Sequence, residues 1–481
     1  MNFRQIFYII GIILIVFGIA MFIPAIVDYK DNNADWKSFL SASLITLACA
    51  SCMYFSYTKT EIHLNVRESF VLTSFTWFFI SLFAAIPFYL SNLSISFTDS
   101  LFEAISGLTT TGSTILVGLD QMPKGILLWR GLLQWIGGIG IIVLAISVLP
   151  FLGVGGMHLF KTESSEQSPK PMPKLKTLTR TITLVYIGLT LLCTAAYYYS
   201  GMNPFEASVH AMTTLSTGGF STSDLSMGHF ENPVIHWEAI LFMILGSLPY
   251  LLYVRALQGH GEELWEDEQI RFYLAFLFIS IFLLTLWLWS TRNESFGDVL
   301  NHVAFHIVSI VTTTGYTTTD YSLWGALAFE LFFFFLFIGG CSGSTSSGIK
   351  IFRFLVIFKL ILVKIKRLSH PHIITIPKFN KNTISDGARE SITTFFAFYV
   401  LFTCFIAILL SLMGLDFITS VSASITAIAN VGPGLGDIIG PAGNFKPLSD
   451  PVKWTLSFAM LVGRLELFTI LIIFFPMFWR K

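Results

Sequence analysis

Threonine, serine and glycine cluster four times along the chain: SGLTTTGST from Ser106 to Thr114, TTLSTGGFST from Thr213 to Thr222, SIVTTTGYTT from Ser309 to Thr318, and TAIANVGPGL from Thr426 to Leu435. Aligned on Gly112, Gly219, Gly315 and Gly432, the segments lie 107, 96 and 117 residues apart. Six residues before each glycine stands Ser106, Thr213, Ser309 or Thr426, and two before it stands Thr110, Thr217, Thr313 or Asn430. Neutral, oxygen-rich segments of this kind suit the exchange of a cation's water shell for rings of backbone carbonyls of comparable strength. Threonine hydroxyls add ligands, and glycine takes the dihedrals that turn a carbonyl toward an axis without a Cβ clash. A calcium site would need several acidic oxygens. The nearest acids, Asp224, Asp320 and Asp437, lie beyond the segments, where they are expected to form an outer funnel for cations.

Such loops need an apolar scaffold. Hydrophobic residues make up 54% of the 481 and charged residues 12%, far from the balance of soluble domains. Ten runs are long enough to cross a bilayer, near 4–27, 38–56, 69–90, 127–150, 178–199, 235–257, 271–289, 325–363, 391–413 and 453–478. Each threonine–glycine segment follows about a dozen residues able to form a short helix, and sits between two runs, so the unit reads span, short helix, loop, span. The eighth run is too long for one helix, and its middle, Gly339 to Gly348, is polar and helix-poor, predicting a broken helix facing a cavity. Lysine and arginine concentrate on one side: Arg4, Lys59, Arg67, Lys161, Lys170, Lys174, Lys176, Arg180, Arg255, Arg271, nine basic residues from Lys350 to Arg389, and Arg480 and Lys481. The other side carries only Lys30, Lys37, Lys124, Arg292, Lys446 and Lys453, so both termini are expected in the cytoplasm. Zero net charge argues against a nucleic-acid partner. The five cysteines, Cys49, Cys52, Cys193, Cys341 and Cys404, fall inside apolar runs and imply packing, not disulfides or zinc.

The four segments, the loop ending GSTSSGIK and the last-span run GRLELFTILI at Gly463 to Ile472 resemble the TrkH family, the membrane subunits of bacterial Trk potassium transporters, within the Trk/Ktr/HKT superfamily. The resemblance covers essentially the whole chain. It implies an all-α polytopic membrane protein of the bacterial inner membrane, with two N-terminal helices and four helix, pore-helix, helix repeats around one central pore. The corresponding boundaries are 1–60, 61–155, 156–260, 261–385 with a broken second helix, and 386–481. It implies potassium uptake through a filter of Thr110 and Thr111, Thr217 and Gly218, Thr313 and Thr314, and Asn430 and Val431, with potassium as the only bound ion. Glycine at 112, 219, 315 and 432 implies potassium over sodium. Asn430 and Pro433 break the fourfold symmetry. A homodimer is implied, and a cytosolic TrkA-like nucleotide-binding ring that gates conduction; no nucleotide site is expected on this chain.

The resemblance also makes Gly339, Gly340, Gly343, Gly348 and Lys350 part of an intramembrane gate loop, with Ser346 and Ser347 standing where glycine is expected. Lys350 follows Gly348 by two residues and no strand precedes it, so the stretch fails the Walker pattern. Arg464 falls roughly 17 Å into the last span, where an arginine costs about 2.5 to 3.5 kcal/mol to insert. It is expected either to pair with Glu466 or another acid, or to stand below the filter as a cationic barrier. At ~8 Å and an effective dielectric of ~20 it would repel an ion by about 2 kcal/mol. His302 and His306, one helical turn apart, read as packing or hydrogen bonding. The acids from Glu262 to Glu268 read as a solvated loop, and Lys161 to Lys176, with three prolines, as a linker. Two rival functions differ in what they need. An ion-coupled proton or sodium symporter would place ionisable ligands at a midplane site. An intramembrane enzyme would need a nucleophile and base, and the scattered serines and histidines show no such pairing.

Overall fold

The computed structural model describes residues 1–57, 65–147, 171–370, 372, 373, 376–380 and 382–480. The expected positions Lys59, Lys161, Lys170, Lys381 and Lys481 lie outside that set. Among the described residues, seven helices are long and apolar enough to cross a membrane: Phe3–Lys30, Trp36–Tyr54, Val66–Leu90, Lys124–Leu144, Lys176–Tyr199, Glu268–Thr291 and Asp386–Leu412. Two further spans are bent pairs, Pro233–Gly246 with Tyr250–Leu257 at 89° and Asp450–Arg464 with Phe468–Phe474 at 107°. Each is expected as one span, and the structure shows a break within it. Pro249 supplies the first break, because a proline removes a donor and forces the residue before it out of helix. The second occurs where Glu466 and Leu467 take positive φ of 62° and 38°.

The run at 325–363 is interrupted as expected. Ala326–Phe335 ends, Ile351–Ser369 begins, and two-residue strands at Ile338–Gly339 and Ile349–Lys350 pair in parallel to close the loop between them. The linker reading fails at its far end, where a helix starts at Pro171. Prolines in a first turn remove only N–H groups that have no helical partner.

Four short helices stand between these spans: Phe97–Leu108, Pro204–Leu215, Phe296–Val311 and Phe417–Ala429. Each starts alike. The side chains of Ser96, Asn203, Ser295 and Asp416 accept from the backbone N–H three residues on, at Asp99, Glu206, Asp298 and Thr419. Such a cap typically stabilises a helix by about 1 kcal/mol. Each short helix packs against the spans of its own unit, and the first three also pack against the second span of the preceding unit, the fourth counting as preceding the first. The buried core divides into two clusters. One joins the N-terminal pair to units one and four, the other lies mainly in units two and three.

Candidate functional site

All four short helices end the same way. The N–H of Thr111, Gly218, Thr314 and Val431 reaches back to the carbonyl of Ser106, Thr213, Ser309 and Thr426 at 2.9, 2.9, 2.9 and 3.0 Å. The residue just before each donor, Thr110, Thr217, Thr313 or Asn430, is left-handed, with φ of 53°, 51°, 60° and 52°. The glycines that follow, Gly112, Gly219, Gly315 and Gly432, are left-handed as well. A six-residue closure with a left-handed residue is the usual helix stop, where glycine is the favoured occupant. Here the glycine comes two residues later, so positive φ occurs twice in three residues.

The four loops meet one another in cyclic order. A Cβ on Gly112 would strike the Gly218 carbonyl, one on Gly219 the Thr314 carbonyl, one on Gly315 the Val431 carbonyl, and one on Gly432 the Thr111 carbonyl. Contact therefore runs from unit one through four and back to one. The residue after each glycine closes the circuit in the other direction, toward the preceding unit. Ser113 donates to the Gly432 carbonyl at 2.9 Å, Phe220 lies beneath the Arg130 guanidinium, the Tyr316 hydroxyl bonds Thr213, and the Pro433 ring abuts Gly315. All the expected filter residues are thus brought together.

Symmetry is broken at two of them. The Asn430 amide donates to the Thr111 hydroxyl at 2.9 Å and to the Met460 carbonyl at 3.0 Å, linking units four and one. Gly218 stands where two other units have threonine because Gln134 fills the space. Gln134 donates to the Gly218 carbonyl at 2.6 Å and accepts from the Phe220 N–H at 3.0 Å. Sequence reasoning missed Gln134, since a single glutamine in an apolar run carries no signal of its partner.

The loop from Gly339 to Gly348 lies against this ring. The Ser347 N–H donates to the Thr313 hydroxyl at 2.9 Å, and the Thr217 hydroxyl lies 3.3 Å from that of Thr345. The loop also seats in the break of unit two: Cys341 N–H donates to Ser247 O and Tyr250 N–H to Gly343 O, both at 3.0 Å. Its backbone is bonded, as a non-helical segment within an apolar scaffold requires. Gly343 and Gly348 hold positive φ, and a side chain at Gly340 would meet Ser346 Oγ at 2.6 Å. Lys350, 6% exposed, donates to the Ser346 carbonyl.

Arg464 closes the assembly. It is 2% exposed and donates to the Thr345 carbonyl at 3.0 Å and to Ser347 Oγ at 2.6 Å. Glu466 does not neutralise it; that carboxylate pairs with Arg353, whose guanidinium also lies 3.7 Å from the Phe395 ring centroid. The arginine is therefore tied to the loop, and the loop to Thr217 and Thr313.

Of the outer acids, Asp224 and Asp437 are exposed and Asp320 is half-buried; Asp224 accepts from the Gly118 and Leu119 N–H groups and Asp320 from that of Ser322. Asp120 nearby is raised by burial, but the Ser223 hydroxyl, the Asp224 N–H and His229 outweigh this and hold it below the ordinary carboxylate range. His302 and His306 are hydrogen-bonded, and no group of three or more metal-binding side chains occurs among the described residues. The acidic run is partly paired, Glu263 with Arg255 and Glu268 with Lys359. All five cysteines are free.

Against known proteins, residues 36–481 match the family profile TrkH, described as a cation transport protein. The chain is 45% identical to the Trk system potassium uptake protein TrkI of Halomonas elongata over 98% of this chain and 96% of that one. It is 36% identical to the Trk system potassium uptake protein TrkH of Escherichia coli, with 100% of both chains covered. The crystal structure of the potassium transporter TrkH from Vibrio parahaemolyticus superimposes with a TM-score of 0.92 at 34% identity, covering 100% of each chain.

Proposed function

Since the chain belongs to the TrkH family of cation transport proteins, we propose that it takes up potassium across a bacterial inner membrane through a selective, gated pore. The filter is the ring of Thr110, Thr111, Thr217, Gly218, Thr313, Thr314, Asn430 and Val431, its shape set by Gly112, Gly219, Gly315 and Gly432. One observation carries this reading: the closed circuit of glycine-to-carbonyl contacts through all four units. Two others agree with it. The short helices all end at the ring, so their partial negative charges face it and favour a cation. The ring residues are neutral, as a path needs when ions must leave as readily as they enter.

The loop at Gly339–Gly348 is the gate, held beneath the ring by Lys350 and Arg464. Arg464 presents an uncompensated positive charge to an ion coming from the filter. Both termini lie in the cytoplasm, where a TrkA-like nucleotide-binding ring meets the basic inner face and moves the loop, and the working unit is a homodimer in the lipid bilayer. The test is potassium-limited growth of a transport-deficient bacterium expressing the chain. Rescue by the parent, with loss of rescue or a sodium leak in Gly315→Ser, is the expected result. Equal rescue by both would refute the filter assignment.

A further inference from the structure

On each short helix, one side chain holds the chain as it leaves the glycine. Nine residues before Gly112, Gly219 and Gly315 stand Glu103, His210 and His306, all at 0% exposure. The Glu103 carboxylate accepts from the Ile115 N–H at 3.0 Å. His306 donates from Nδ1 to the His302 carbonyl at 2.8 Å, which leaves Nε2 to accept from the Thr318 N–H at 3.2 Å. His210 donates to the Glu206 carbonyl at 2.9 Å, and its Nε2 accepts from the Ser221 hydroxyl at 3.0 Å. In unit four this place is Ala423, and the neighbouring Ser422 hydroxyl accepts from the Leu435 N–H at 3.1 Å. In units one, three and four the bonded N–H is that of the same residue, three after the glycine.

In units one, three and four a carboxylate, an imidazole and a hydroxyl thus accept from the same N–H, the hydroxyl from one residue earlier on its helix, while in unit two the imidazole holds a side-chain hydroxyl. Packing alone would be met by apolar side chains, which need no hydrogen-bond partner when buried. Glu103 does a second thing. Arg130 donates to it at 2.8 Å and to the Ser221 carbonyl at 2.7 Å, so this buried pair ties the outer limbs of loops one and two together. A peptide unit whose N–H is pinned cannot rotate freely, and the carbonyls a few bonds away keep their direction.

We propose that Glu103, His210, His306 and Ser422 are positioning residues that set the cation preference of the ring by fixing the outer limb of each loop. The inference rests on the filter reading. It is tested by rubidium and sodium fluxes in proteoliposomes containing the parent, His306→Leu, His306→Gln, Ser422→Ala and Gly315→Ser. His306→Leu removes the acceptor, whereas glutamine offers an amide oxygen close to the place of Nε2. The expected result is a sodium-to-rubidium ratio raised on the order of fivefold in His306→Leu, about what one hydrogen bond is worth. His306→Gln returns the ratio close to the parent value, and Ser422→Ala shifts it in the same direction. A folded His306→Leu with the parent ratio, or a glutamine variant as altered as leucine, overturns the proposal. If His306→Leu does not fold, Ser422→Ala decides: an unchanged ratio overturns it. A parent that does not discriminate, or a Gly315→Ser that changes nothing, overturns the filter reading instead.

Discussion

Three threonines and an asparagine hold left-handed backbone at places where a helix stop would ordinarily take glycine. For a β-branched residue that conformation costs roughly 1 to 2 kcal/mol, and strain of this kind collects where function requires a particular side chain. Thr217 and Thr313 show the requirement: their hydroxyls face Thr345 and Ser347 of the intramembrane loop. The recurrence of threonine and glycine was legible in the sequence because all four segments share one closure with left-handed residues at fixed places, which constrains residue type directly. Partners were not. Nothing in the order of residues joins Gln134 to Gly218 or sends Glu466 to Arg353 in place of Arg464, since each of those bonds crosses between units. Arg464→Ala removes two hydrogen bonds to the loop together with the charge beneath the ring. Single-channel current is expected to rise, on the order of tenfold if most of the ~2 kcal/mol repulsion is relieved. An unchanged current would show that the arginine is no barrier.

Among elements, the second helices of units two, three and four are all interrupted, whereas Lys124–Ser147 in unit one is a single helix. The break at Gly339–Gly348 was readable because ten small and polar residues cannot be helix in an apolar run. Pro249 offered a signal for the second break that apolar continuity concealed. The third, at Leu465 to Leu467, has no proline or glycine of its own and lies among residues bonded to other elements, Arg464 to the loop and Glu466 to Arg353. Between them the interruptions seat the loop: Gly246 and Ser247 carbonyls accept from Thr345 and Cys341, and Arg464 holds it from the other side. Removing Ser342 to Ser344 would shorten the loop, costing its seat against Tyr250 while leaving the strand pair intact. Rubidium flux should then be constitutive, independent of any cytosolic partner. Flux that is still regulated would mean that gating lies elsewhere.

At the scale of the molecule, four units with little sequence in common converge because each repeats one physical plan: a capped short helix, a six-residue closure and a left-handed glycine. The short helix and the glycine could be read from the chain, whereas the caps and the closure emerged with the structure. The cyclic arrangement of the units could not be read either, because the order of units around an axis depends on packing between helices hundreds of residues apart, such as Phe97–Leu108 against Asp450–Arg464. The most direct test of the account is anomalous diffraction from crystals grown in rubidium or thallium. It predicts density on the common axis, within coordinating distance of the carbonyls of Thr111, Gly218, Thr314 and Val431. Heavy-ion density lying away from that axis, or none along it, would contradict the claim that these four loops together hold a dehydrated cation.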